Sequence, residues 1–308
     1  MSEQEKVITL SKEQQDIQNK TELENIREAG MCVCAGAQGT GKTYQTMHTI
    51  NAYIKDKLDI KVKGRKVLIY DTNGEYTKNQ FERNNISNFD IKTIAIRDVG
   101  AWCRTPISEC RRIDAKDLGI KEKKEHVKYI LKECRNCLVV LEDINTYILQ
   151  VSFMEDIVGG LVNLRHRALD VIVSYQSLRA VEPRMFQNAR WIRLNYQTTS
   201  IGALKKIEDK IPYLSLLYIA LLLVKKQYET GNKRFHCYIH SFDQKIKGAF
   251  SRKDFYDACL MYCRLHKAEY KEHMVLYDLP NENEAIESLA KSYFFKFYGN
   301  PLPNSVKS

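Results

Sequence analysis

The chain has 308 residues, 44% hydrophobic and 28% charged, which excludes a disordered or collagen-like polymer and suits one large α/β domain with extensions or two small domains. A net charge of +10 and a sequence pI near 9.0 favour polyanionic partners, which concerns association and not fold. Nine scattered cysteines, an odd number, argue against a disulfide framework and fit reduced thiols in a cytosolic setting.

Residues 1–29 are polar and helix-prone, with Thr21 and Glu24 spaced as a capping box and Gly30 placed as a helix stop. They contain neither a basic leader nor an apolar run, so no secretory signal is expected. From Met31 the pattern changes to short apolar runs at 31–35, 67–70, 93–96, 138–141, 171–174 and 191–194, with 236–239 as a late or edge strand. Helical segments separate them, which predicts a mostly parallel sheet wrapped by helices. The charged segment 114–132, with its Lys121-Glu-Lys-Lys-Glu125 block, reads as a solvated helix face. Cys134 and Cys137 form a lone C-x-x-C; no second Cys or His pair stands at zinc spacing and Cys137 opens an apolar strand, so plain thiols are expected there. Residues 212–228 read as an apolar helix with Pro212 in its first turn, and the run 211–224 is too short and too interrupted to span a bilayer. Beyond Gly248 helices resume, with apolar Phe255, Ala258, Leu260, Met261 and Cys263, and a last helix at about 284–297.

Three motifs carry chemistry. Gly36-Ala37-Gln38-Gly39-Thr40-Gly41-Lys42-Thr43 matches G-x-x-x-x-G-K-[ST] in full, after an apolar strand and before a helical stretch. Glycines let backbone N–H groups turn inward around phosphates, Lys42 would reach the β- and γ-phosphates of ATP, and the Thr43 hydroxyl would ligate Mg²⁺. The run 138–141 ends in Glu142-Asp143. Two acids at the tip of a buried strand supply a metal ligand, Glu142, and a group to polarise water, Asp143, although Asp before Glu is the usual order and the division of labour stays open. About ninety-five residues separate Thr43 from this strand, which favours P-loop folds with another strand between the two. The run 171–174 ends in Tyr175-Gln176, an amide that can sense the γ-phosphate or the lytic water.

With these residues assembled, the chain resembles the FtsK–HerA superfamily of DNA-pumping ATPases over about residues 30–250. The resemblance rests on the P-loop, on Val67-Leu-Ile-Tyr-Asp71-Thr-Asn-Gly-Glu75-Tyr76, on Glu142-Asp143, and on the stretch from Arg165 to Gln176, where Tyr175 stands in place of the usual Thr. It implies a RecA-like, additional-strand P-loop ATPase domain at 30–250 between helical extensions at 1–29 and 251–308. It also implies Arg165, with Arg167 as fallback, as a finger reaching the neighbouring subunit's γ-phosphate. The expected assembly is a homo-oligomer, hexameric by resemblance, around DNA, double-stranded in preference to single-stranded. The short chain, without an anchor or large accessory domain, looks most like the viral genome-packaging branch, in the host cytoplasm or with the virion and docked at a capsid vertex. The rival readings are a conjugation-type or filamentous-phage export ATPase with a membrane-associated partner, a P-loop small-molecule kinase, and a nucleotide-gated scaffold without useful turnover.

Overall fold

In the computed structural model the described residues are 30–55, 64–86, 90–147, 164–198, 211 and 213–298, the side chain of Arg165 apart. The expected N-terminal helix at 1–29, its capping box and Pro212 lie outside them. Nine strands form one sheet in the order β3-β4-β2-β5-β6-β1-β7-β8-β9. They are β1 Met31–Ala35, β2 Lys66–Asp71, β3 Ile91–Thr93, β4 Cys110–Asp114, β5 Cys137–Leu141, β6 Asp170–Tyr175, β7 Ala189–Asn195, β8 His236–His240 and β9 Lys245–Gly248. From β3 to β7 every pairing is parallel, and β8 and β9 close that flank as antiparallel neighbours.

The central parallel strands β2, β5, β6 and β1 are buried on both faces, which is why they read as apolar runs. In β1, Met31, Val33 and Ala35 enter one core cluster while Cys32 and Cys34 enter the other; in β5, Cys137, Val139 and Leu141 part in the same way from Leu138 and Val140. One face is covered by α1 Lys42–Ile54 and the short α2 Lys78–Arg83, through Met47, Ile50, Tyr53 and Phe81. The other carries α3 Val99–Arg104, α4 Ile120–Glu133, α5 Pro183–Asn188 and α6 Leu214–Glu229. The charged segment is helical from Ile120 onward, Asp114 ending β4, and α4 buries Val127, Ile130 and Leu131 at helical spacing. Helix α6 buries Leu216 to Ala220 and Leu222 to Val224, because α7 Arg252–Leu265 packs over it, followed by α8 Lys267–Leu276 and α9 Glu282–Tyr298. Ser251 and Asp254 start α7 with a reciprocal capping box. Among the described residues no helix is long and apolar enough to cross a membrane.

Two details differ from the sequence pattern. The third strand is 91–93, not 93–96, because Ile96 opens a 3-10 turn, Ile96–Asp98; Ile94 packs against the core from the link before that turn and Ile96 from the turn itself. Strand β4 carries Arg111 and Arg112 and shows no apolar run, yet it pairs with β2 and β3. The outermost strands are short and basic: β3 has Lys92 and β9 has Lys245 and Lys247.

Candidate nucleotide site

The phosphate loop hangs between β6 and β7. Gly36 N–H donates to the Tyr175 carbonyl at 3.2 Å, Ala37 N–H to the Tyr196 carbonyl at 2.7 Å, and Asn195 Nδ2 to the Thr40 carbonyl at 2.9 Å. Gly36 is required by proximity, since a Cβ there would stand 2.5 Å from the Asn195 Cβ. Gly41 is required by conformation, at φ +89. From it springs α1, without a side-chain cap and without an acid in its first turn, so its first amides and the positive end of its dipole face the loop. Behind them the buried Arg193 of β7 donates to the Lys42 carbonyl at 3.2 Å and to Thr46 Oγ1 at 2.6 Å.

Lys42 Nζ lies across the loop, donating to the carbonyls of Gly36 at 2.7 Å and Ala37 at 3.0 Å. Burial lowers its pKa, opposed by the charges of Asp143, Glu142 and Glu75. The Thr43 hydroxyl donates to Glu75 Oε2 at 2.7 Å. Glu75 reaches it because the buried Asp71 carboxylate gathers the turn: Oδ1 accepts from the N–H groups of Asn73, Gly74 and Glu75 at 3.2, 2.8 and 3.1 Å, and Oδ2 from Tyr76 N–H at 3.0 Å and Arg112 Nε at 2.7 Å. The same turn aims the Tyr76 hydroxyl, which donates to Glu142 Oε1. Burial above all pushes the Glu142 carboxyl up to about 7, with the neighbouring Asp143 charge adding to the rise. Asp143, in the left-handed region at φ 42, turns its carboxylate outward, where Oδ2 accepts from Asn73 Nδ2 at 2.9 Å and Gln176 Nε2 at 3.2 Å.

These groups line one cleft of about 560 Å³ at the carboxyl edge of the sheet, together with Gln38, Gly39, Tyr44 and Arg234. The fold thus brings Lys42, Thr43, Glu142, Asp143 and Gln176 together. It does not bring Arg165 to them: the turn Arg165–Arg167 precedes β6 at the opposite edge. Arg167 is engaged there, its guanidinium donating to the carbonyls of Leu131 and Lys132 at the end of α4. Sequence reasoning gave no role to Glu75, Asn73, Arg193 or Arg234. Glu75 and Asn73 stand inside a stretch already singled out, whereas Arg193 and Arg234, the latter over the Tyr44 ring at 4.7 Å, are marked by no motif.

The donor set fits ATP and Mg²⁺. A buried ammonium with carbonyl partners and an uncapped helix start suit phosphate oxygens, and a hydroxyl beside carboxylates is an all-oxygen set for a hard cation.

A phosphate loop after β1, an acid pair after β5 and an intervening β6 define the fold as that of a P-loop NTPase of the additional-strand type. Structural neighbours include the genome packaging NTPase B204 from Sulfolobus turreted icosahedral virus 2 in complex with ATP-gammaS, 18% identical over 72% of this chain and 96% of that one, with a TM-score of 0.44. Another is the DNA-packaging ATPase B204 from Sulfolobus turreted icosahedral virus, 16% identical over 71% and 95%, with a TM-score of 0.46. The N-terminal domain of zonular occludens toxin from Neisseria meningitidis matches at 12% identity over 54% and 76%, with a TM-score of 0.29. No protein-family model and no curated protein sequence matches the chain.

Proposed function

We propose that the chain is an ATP-hydrolysing DNA translocase of the FtsK–HerA type, a genome-packaging motor working as a homo-oligomeric ring. The observation that carries this reading is the contact of Asp143 with Gln176 at 3.2 Å across neighbouring strand ends, inside the cleft that holds the phosphate loop. A phosphate loop alone serves a kinase equally well. An acid able to orient water, linked to an amide on the adjacent strand, is what coupling of hydrolysis to movement needs.

In this reading the backbone from Gly36 to Gly41 cradles the triphosphate, and Lys42 leaves its carbonyl partners for the β- and γ-phosphates. Thr43 and Glu142 hold Mg²⁺, which when bound neutralises charge developing on the phosphate oxygens. Asp143 orients the attacking water, Gln176 relays the state of the site, and Arg165 serves the neighbouring subunit. The net charge of +10 suits contacts to a nucleic-acid backbone, which are sequence-tolerant and salt-sensitive.

The test is phosphate release with and without double- and single-stranded DNA, on material whose oligomeric mass is measured in the same buffer. Turnover is expected to rise with double-stranded DNA, and Lys42→Ala to lower it by at least about 10²-fold. Wild-type turnover in Lys42→Ala would remove the site, and hydrolysis indifferent to DNA would remove the motor.

A further inference from the structure

Three thiols converge at the sheet edge opposite the cleft. Cys103 lies near the end of α3, Cys134 follows the last turn of α4, and Cys137 opens β5. Their sulfur atoms all lie within 4.8 Å of one another. Cys134 and Cys137 are fully buried and Cys103 is half-buried.

A core thiol ordinarily packs as a small hydrophobe. Here a C-x-x-C knuckle meets a third cysteine from a separate helix, which is how thiolate metal sites are assembled. Metal–sulfur bonds of about 2.3 Å place the sulfurs of a tetrahedral site roughly 3.8 Å apart, so a contraction of about 1 Å or less closes the set. The surrounding charge gives independent support. Lys66 is 7% exposed, and its Nζ donates to the Cys103 carbonyl at 2.7 Å and to the Thr105 carbonyl. No carboxylate pairs with it among the ion pairs of the described residues. A buried ammonium without a counter-charge is costly, and a divalent ion carrying three thiolates has the net negative charge that would offset it.

We propose that Cys103, Cys134 and Cys137 bind one thiophilic metal ion of the Zn²⁺ class, with the fourth position open to water on the Cys103 side. The sequence shows the knuckle but no second pair, because the third ligand comes from α3, which precedes β4 in the chain. The knuckle also carries weight: Asn136, at φ 48, donates its N–H to the Arg167 carbonyl at 2.9 Å. A bound ion would therefore stiffen the support of the Arg165–Arg167 turn, although the site does not depend on any role for that turn.

The test uses the full chain purified without a metal-affinity step, analysed by inductively coupled plasma mass spectrometry and, after exchange, by Co²⁺ absorbance. About one equivalent of zinc per chain is expected, with an intense near-ultraviolet thiolate-to-cobalt band and the visible bands of a tetrahedral site. Cys103→Ser should lose both, and Cys259→Ser should keep both. If Cys103→Ser fails to fold, the wild-type cobalt spectrum decides alone, since the charge-transfer intensity scales with the number of sulfur ligands. A wild-type chain that arrives without metal and takes up no Co²⁺, or a folded Cys103→Ser that keeps the ion, overturns the site.

Discussion

Glu142 is a carboxyl group that burial holds at about 7, against an ordinary value of 4.5, and this makes its ionisation a matter of stability. Below both values the folded and unfolded chains are equally protonated there. As pH rises through 4.5 the unfolded chain releases its proton first, so stability falls until about 7 and then levels off, by on the order of 3 kcal/mol in all. Glu142→Gln keeps an acceptor for the Tyr76 hydroxyl and removes the charge. In EDTA without nucleotide, its thermal midpoint should match wild type near pH 4 and exceed it at pH 8. A gap that stays constant across this range would mean that burial leaves the carboxyl with the same pKa in the folded and unfolded chains. The same burial explains why Glu142 suits a cation: an oxygen ligand taken out of water regains its charge most cheaply beside a positive ion.

Among the elements, the turn after β2 shapes the cleft most directly, because one fully buried carboxylate, Asp71, collects four backbone N–H groups and Arg112. Asp71→Ala leaves those backbone donors unpaired and Arg112 with the more exposed Asp114 alone as ion-pair partner, and should destabilise the fold by about 3 kcal/mol or more, read as a shift in urea midpoint. It should also weaken nucleotide binding, because Glu75 and Tyr76 lose their aim. An unchanged midpoint would mean that solvent replaces the carboxylate. Strands β1, β5 and β6 were legible because burial on both faces demands unbroken apolar runs, and the loop from Gly36 to Thr43 because its backbone geometry admits few sequences. Strand β4 was not legible, since its arginines serve polar partners: Arg112 neutralises Asp71, and Arg111 Nε donates to Glu109 at 2.8 Å. Arg193 escaped notice for a related reason. A lone cation in an apolar strand shows its purpose only when α1 is laid across it.

At the scale of the whole molecule, the turn Arg165–Arg167 and the phosphate loop stand at opposite ends of β6, six residues or roughly 20 Å apart. An arginine there cannot serve its own nucleotide, so a finger at Arg165 requires a second copy. Arg165→Ala should lower turnover by about 10³-fold or more while sparing ATP binding. Mixing it with inactive Glu142→Gln subunits should restore part of the activity, measured as phosphate release against mixing ratio; full wild-type turnover by a monomer would refute the shared site. The lysines on β3 and β9 bear on the form such an assembly can take. Short outermost strands carrying lysine, one on β3 and two on β9, disfavour edge-to-edge pairing of copies into an endless ribbon. A ring of copies, as proposed, would then join through side chains on helices and loops, where geometry can bring the last copy back to the first.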